Sequence, residues 1–275
     1  MPMLIDVPTE IWRHIASFLE TEELWAVRSE NRTLWDEAWN RECRLFRVYF
    51  PVLDERGLHN MDQLRRPMIA NRVREVLLNA NKFLPQRSSL FRRILARPMS
   101  RRKFSLKIFG PKFTSQKMTD GLKAIISSFP NVSSLEIDIS TASNRFCEWV
   151  IPVCVTALDS FILTLRSLSI SVVPFSAITS LLDHHTFMNL ENFSLHLFVS
   201  STKNTPEGFA ELLSGNIIPF IQRHTTTLRS LSLHPVYHPS YNIVPLLACL
   251  ENIQNVRVFD FKSSNAPPCV SNSPR

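Results

Sequence analysis

The sequence predicts an α/β chain, a short helical module at the N-terminus followed by an irregular solenoid of strand–helix units. Two observations predict it. In the first forty residues apolar side chains recur at helical spacing. Beyond them, stretches with apolar residues three and four apart repeatedly give way to stretches where every second residue is apolar. That change of period is what a helix followed by a half-buried strand requires. A third observation narrows the class. With 5 Gly against 18 Pro in 275 residues, a glycine-rich nucleotide loop and flexible linkers are both disfavoured.

Pro8 suits the first turn of a helix, where its missing N–H would have no partner anyway. Thr9 and Glu10 then set a hydroxyl and a negative charge beside the exposed amides. Ile11, Ile15, Phe18 and Leu19 recur on one helix face. Thr21 is expected to cap a second helix, with Glu22 and Glu23 in its first turn and Leu24 and Val27 facing inward. Asn31 caps a third, with Leu34 and Ala38 on one flank and Trp35 and Trp39 stacked four apart. A unit of about 40 residues rarely stands without disulfides, a metal or a partner, and this one holds Cys43 alone. Its leftover apolar surface marks a docking module.

Arg44 to Phe50 reads as a first strand. The pattern L-x-x-L-x-L then recurs at Val73-Val76-Leu78, Val132-Leu135-Ile137, Leu165-Leu168-Ile170, Leu190-Phe193-Leu195, Leu228-Leu231-Leu233 and Ile253-Val256-Val258, with a partial copy at Phe104-Leu106-Ile108. Helical stretches lead into several of these: Leu122, Ile125, Ile126 and Phe129; Phe209, Leu212, Leu213 and Ile217; Leu246, Leu247 and Leu250. Leu231 and Leu233 pin one face inward and leave Ser230, Ser232 and His234 on the other; Ser167, Ser169, Ser171 and Ser194 fall on the same outward side. The asparagine that closes a regular repeat is present only as Asn81, so the units are expected to be irregular.

The order Val7-Pro8-Thr9-Glu10-Ile11, then Ile15, Phe18-Leu19, Leu24, Val27-Arg28, Asn31-Arg32 and Leu34-Trp35, resembles an F-box of the kind common in fungal F-box proteins. The units behind it resemble a degenerate leucine-rich repeat. The resemblance implies a short three-helix F-box followed by an irregular leucine-rich-repeat-like solenoid. It also implies a non-catalytic substrate-recognition subunit of a Skp–cullin–F-box ubiquitin ligase. The N-terminal helices would dock the Skp adaptor, and through it a cullin scaffold, while the repeat surface would hold a protein substrate for ubiquitin-dependent degradation. By position, Val7, Pro8, Ile11, Ile15, Phe18, Leu19, Leu24 and Leu34 would supply the adaptor-facing or supporting apolar contacts. A protein-binding scaffold unrelated to ubiquitination is the competing reading.

The formal charge of +7 is unevenly spread. Residues 1–40 hold eight acidic against three basic side chains, and residues 41–123 hold twenty basic against six acidic. The middle block therefore suggests a negative partner. Arg65, Arg66, Arg72, Arg74, Arg92, Arg93, Arg101 and Arg102 are candidates for an acidic or phosphorylated protein ligand, since the guanidinium fork suits carboxylate and phosphate. Solvated surface charge is the plainer alternative. Nucleic acid is a weaker one, because no reading helix or stacking platform accompanies the block.

No catalytic motif, metal-ligand spacing or cofactor signature is present, so no enzyme activity, metal or cofactor is expected. His184 and His185 read as helix C-terminal residues, and His224, His234 and His238 as turn or surface positions. The five cysteines are scattered, which fits reduced thiols in the cytoplasm or nucleus. Neither a secretory leader nor a membrane span is expected. The organisation read from sequence is a helical module over 1–45, strand–helix units over 46–262 and a disordered Ser/Asn/Pro-rich tail over 263–275.

Overall fold

Three short helices come first: α1 (Thr9–Phe18), α2 (Thr21–Val27) and α3 (Arg32–Cys43). Pro8 stands at the cap of α1, its carbonyl accepting the Ile11 N–H at 3.0 Å. The cap of α2 is Glu20 rather than Thr21. The Glu23 carboxylate reaches back to the Glu20 N–H at 2.8 Å, which is half of a capping box. Asn31 caps α3 by accepting the Thr33 N–H at 2.6 Å. Arg41 of α3 donates to the carbonyls of Ala16 and Leu19, at 2.6 Å for Leu19, and so places a cation at the C-terminus of α1. Ala16, Leu24, Leu34 and Ala38 form a small buried cluster between the helices.

The computed structural model describes residues 8–27, 29–50, 53, 55–80, 115–140, 144–172, 175–183, 185–197, 206–235, 244–251, 255–256 and 258–261. After α3 the chain alternates. β1 (Leu45–Tyr49) leads through α4 (Glu55–Asp62) and α5 (Pro67–Ala70) to β2 (Glu75–Asn79). Then follow α6 (Ser115–Ile126), β3 (Ser134–Ile139), α7 (Asn144–Ser160), β4 (Ser167–Val172), α8 (Phe175–Leu182) and β5 (Asn192–Leu197). The chain continues through α9 (Pro206–Leu212), α10 (Ile218–Arg223), β6 (Ser230–Pro235), α11 (Val244–Glu251) and β7 (Val258–Phe261). A π-helical stretch over Leu213–Ile217 joins α9 to α10. Pro219 lies just beyond it and cannot donate to the α-helical ladder, a physical reason for the widened turn.

All seven strands lie parallel in one sheet in the order of the sequence. With the strands paired in chain order, the right-handed rule for parallel crossovers puts the described connecting helices on one side of the sheet. Along β1 to β6 burial alternates, and the inward residues join one core with the helices. Phe46, Val76, Leu135, Leu168, Phe193 and Leu231 form one inward row; Val48, Leu78, Ile137, Ile170, Leu195 and Leu233 form the next. At the N-terminal ends of the strands the carbonyl before each of β1 to β5 accepts two N–H groups from the chain entering the next strand, as Arg44 does from Arg74 at 2.8 Å and Glu75 at 2.9 Å. Side-chain amides tie the loops there as well. Asn131 donates to the Asn71 carbonyl at 3.0 Å, Asn189 to Leu163 at 2.7 Å and Asn255 to Thr225 at 3.2 Å.

The expected short three-helix F-box followed by an irregular leucine-rich-repeat-like solenoid is corrected by this architecture. One continuous parallel sheet with interleaved helices runs through the described residues, and a single core underlies β1 to β6. The helical start keeps its own small cluster but abuts the sheet directly, since only Arg44 separates α3 from β1. Arg72, just before β2, donates to the Asp36 carboxylate at 3.0 Å and to Asn40 at 2.8 Å. The last strand also departs from its expected register. Val258 pairs with Ser230 and is 56% exposed, whereas Phe259 stands opposite Leu231. A one-residue shift of this kind moves a side chain to the other face. The partial copy at 104–108 and the tail at 263–275 lie outside the described residues.

Candidate binding surface

The outward positions of the strands make three rows across the sheet. The first runs Leu45, Glu75, Ser134, Ser167, Asn192, Ser230, Val258, and the second Arg47, Leu77, Glu136, Ser169, Ser194, Ser232, Asp260. The third runs Tyr49, Asn79, Asp138, Ser171, His196, His234. No described helix packs on this face, and its centre, over β4 to β6, consists of short hydroxyl side chains bordered by two imidazoles.

Chain register stacks those imidazoles. The rings of His196 and His234 lie 4.2 Å apart at 7°, and each Nε2 is hydrogen-bonded to the serine two residues earlier. Ser194 Oγ is 3.0 Å from His196 and Ser232 Oγ 2.6 Å from His234. A hydroxyl on an imidazole is one part of an activated nucleophile. The other part, amides free to hold an oxyanion, is not offered by central strands whose N–H groups bond to their neighbours.

Acidic groups flank this centre. Glu136 and Asp138 share the outward face of β3, and Asp260 lies on β7 beside Ser232. Asp138 accepts from the Ser140 hydroxyl at 2.7 Å and from Asn79 at 3.4 Å. Partial burial and the neighbouring Asp138 charge push the Glu136 carboxyl above its usual range, and Arg47 offsets this only in part. Glu75 is held by Arg44 at 2.6 Å.

The residues singled out from sequence do not converge on one site. Pro8, Ile11, Ile15 and Phe18 are exposed along α1, Phe18 at 75%. Leu19 is half-buried, Leu24 and Leu34 are buried inside the helical cluster, and Val7 lies outside the described residues. Among the basic candidates, Arg65 pairs with Asp62 at 3.0 Å. Arg65 and Arg66 line a shallow cleft with Gln63 and Ser128. Arg72 is committed to α3, and Arg74 donates to the Asn71 carbonyl of its own loop at 2.7 Å. Arg92, Arg93, Arg101 and Arg102 lie outside the described residues.

His224 departs from its turn or surface reading. His224 is fully buried: its Nε2 accepts the Phe187 N–H at 2.8 Å and its Nδ1 donates to the Phe220 carbonyl at 2.7 Å. Burial, the largest cause, holds its pKa below the usual value. His185 is also buried, 3.1 Å from Asp159 and stacked on Phe187. His196 carried no motif of its own. Its signal is visible only when Leu195-His196 is aligned with Leu233-His234. Burial pushes the Cys43 thiol up to about 11, so it is a packing group. Among the described residues no group of three metal-ligating side chains occurs, and no helix is long and apolar enough to cross a membrane.

No family model, curated protein or solved structure matches this chain. The resemblance to fungal F-box proteins with a leucine-rich-repeat-like region is therefore corrected. The role as a Skp–cullin–F-box substrate receptor falls with it, because no family model supports it and the continuous sheet is not the box-plus-solenoid that role needs.

Proposed function

We propose that the chain is a non-catalytic binding protein that holds a protein partner on the face of its parallel sheet against which no described helix packs. One observation carries this reading. Parallel sheets are ordinarily covered on both faces and their strands are apolar throughout, yet here every second residue over β4 to β6 is a serine, asparagine or histidine. Serine side chains are short, so a partner can approach the strands closely. Seven strands at about 4.8 Å spacing and five residues of length give a face of about 29 by 17 Å, on the order of 500 Å². That suits a small, reversible interface unless rim loops enlarge it. Buried thiols outside any disulfide at Cys43, Cys154 and Cys249 fit work in a reducing compartment, the cytoplasm or nucleus.

Site-specific photo-crosslinking tests the proposal. A photoreactive residue replacing Ser194 or Ser232 should trap one defined protein in native extract, and one replacing Gln222 on the helical side should not. The trapped protein, purified, should lose at least tenfold in affinity for the Ser194→Arg, Ser232→Arg variant. Equal trapping from both sides, or unchanged affinity, overturns the reading.

A further inference from the structure

A cleft of about 320 Å³ opens at the N-terminal ends of β5, β6 and β7. Its described walls are Asn189, Glu191, Thr226, Thr227, Arg229 and Asn255, every one of them polar. Glu191 and Arg229 stand immediately before β5 and β6, and the Arg229 N–H donates to the Glu191 carbonyl at 2.7 Å. Their side chains nevertheless form no ion pair with each other. Glu191 turns instead to Arg166, before β4, with one carboxylate oxygen 3.6 Å from that guanidinium and 31% of its side chain exposed. Among the described residues Arg229 has no side-chain partner, and the second oxygen of Glu191 has none either. The two amides are held by their N–H groups. Asn189 Nδ2 donates to the Leu163 carbonyl at 2.7 Å, and Asn255 Nδ2 to the Thr225 and Thr226 carbonyls at 3.2 and 3.3 Å. Their Oδ1 atoms and the Thr226 hydroxyl make no hydrogen bond among the described residues.

We infer that this cleft binds a small zwitterion, an α-amino acid with a hydrogen-bonding side chain, independently of any partner on the sheet face. Arg229 takes the α-carboxylate, whose two oxygens match the guanidinium fork. The second oxygen of Glu191 takes the α-ammonium, and the two asparagine oxygens accept from the ligand's side chain. A doubly charged phosphate fits less well, because the Glu191 carboxylate repels it. An apolar side chain gains little, since no described wall of the cleft is apolar.

The probe is L-glutamine, titrated into the full chain at low salt and followed by amide NMR. N-acetyl-L-glutamine, which lacks the ammonium, and L-glutaminamide, which lacks the carboxylate, are the controls. L-glutamine should give saturable shifts at Thr226, Thr227, Arg229 and Asn255. Each control should bind about fivefold more weakly, the upper scale of an exposed ion pair. Arg229→Gln should weaken L-glutamine by the same factor and leave L-glutaminamide unchanged. Glu191→Gln should weaken L-glutamine without weakening N-acetyl-L-glutamine. Arg65→Gln, in the cleft beside Gln63 and Ser128, should change nothing. Absence of saturable shifts at the cleft overturns the inference. Equal binding of the three ligands overturns it as well, and so does unchanged affinity for L-glutamine in the Arg229→Gln and Glu191→Gln variants.

Discussion

On β4, Leu168, Ile170 and Val172 point into the core and are at most 1% exposed, while Ser167, Ser169 and Ser171 point away and are half-buried. The backbone and its hydrogen bonds are the same for both sets. A strand's period of two lets the chain assign fold to one set and surface chemistry to the other. Deleting the inner set should therefore damage stability, and deleting the outer set should alter recognition with little effect on folding. Ile170→Ala is expected to cost about 2–5 kcal/mol in urea-induced unfolding. Ser169→Ala, its immediate neighbour, should stay within about 0.5 kcal/mol. Similar losses at the two positions would mean that the second face is covered too.

The next largest effect concerns a polar group on the covered side. His224→Leu removes the acceptor for the Phe187 N–H and the donor to the Phe220 carbonyl, stranding two buried backbone groups. The expected loss is about 2–4 kcal/mol. The folded protein also holds His224 with a lowered pKa. Above the unfolded pKa of about 6.5 neither state binds the proton, so this group makes no pH-dependent contribution. Below it the unfolded chain is protonated first. Stability should then fall as the pH drops through about 6.5 toward the folded value, by at most about 1.4 kcal/mol per pH unit. Urea midpoints between pH 8 and 5 check this, and the His224→Leu variant should lose that part of the slope.

The alternation that separates the two faces was legible in the sequence because Leu231-Ser232-Leu233 and Leu168-Ser169-Ile170 write it plainly. Their uneven spacing and the forty helical residues before them invited a division into box and repeat. What sequence periodicity does not carry is continuity: whether successive strands share one sheet is settled by pairing between residues 25 or more positions apart. The stacked His196 and His234 are invisible for the same reason, and so are the amide ties from Asn131, Asn189 and Asn255. His224 was misread because a turn residue is expected at the surface. The acceptor it provides for Phe187 lies 37 positions away.

Arg72→Ala addresses the other contrast, between the helical start and the sheet. It removes the donor to Asp36, to Asn40 and to the Asp36 carbonyl. Arg72 and Asp36 are partly exposed, at 21% and 45% of their side chains, so solvent screens much of the pair. The expected cost is about 1 kcal/mol. It should be read locally, as faster amide exchange in α3 with exchange in β3 to β5 unchanged. Uniformly faster exchange would show that the helices and sheet unfold as one unit.

The smallest effect is the sharpest test of which face a residue belongs to. The repeat pattern puts Val258 in the core row with Val256, and the strand pairing puts it on the outer row beside Ser230. Both registers satisfy an alternation, because Val256-Arg257-Val258 is followed by Phe259-Asp260-Phe261. Pairing with β6 aligns the two phenylalanines, rather than the two valines, with Leu231 and Leu233. Val258→Thr keeps the β-branched shape that suits a strand and adds one hydroxyl. In the core row that hydroxyl would be buried and cost about 1–3 kcal/mol. On the outer row, at 56% exposure, the change should stay within about 0.5 kcal/mol. A cost in the upper range would place Val258 in the core row, shift β7 by one residue and carry Asp260 to the other face of the sheet.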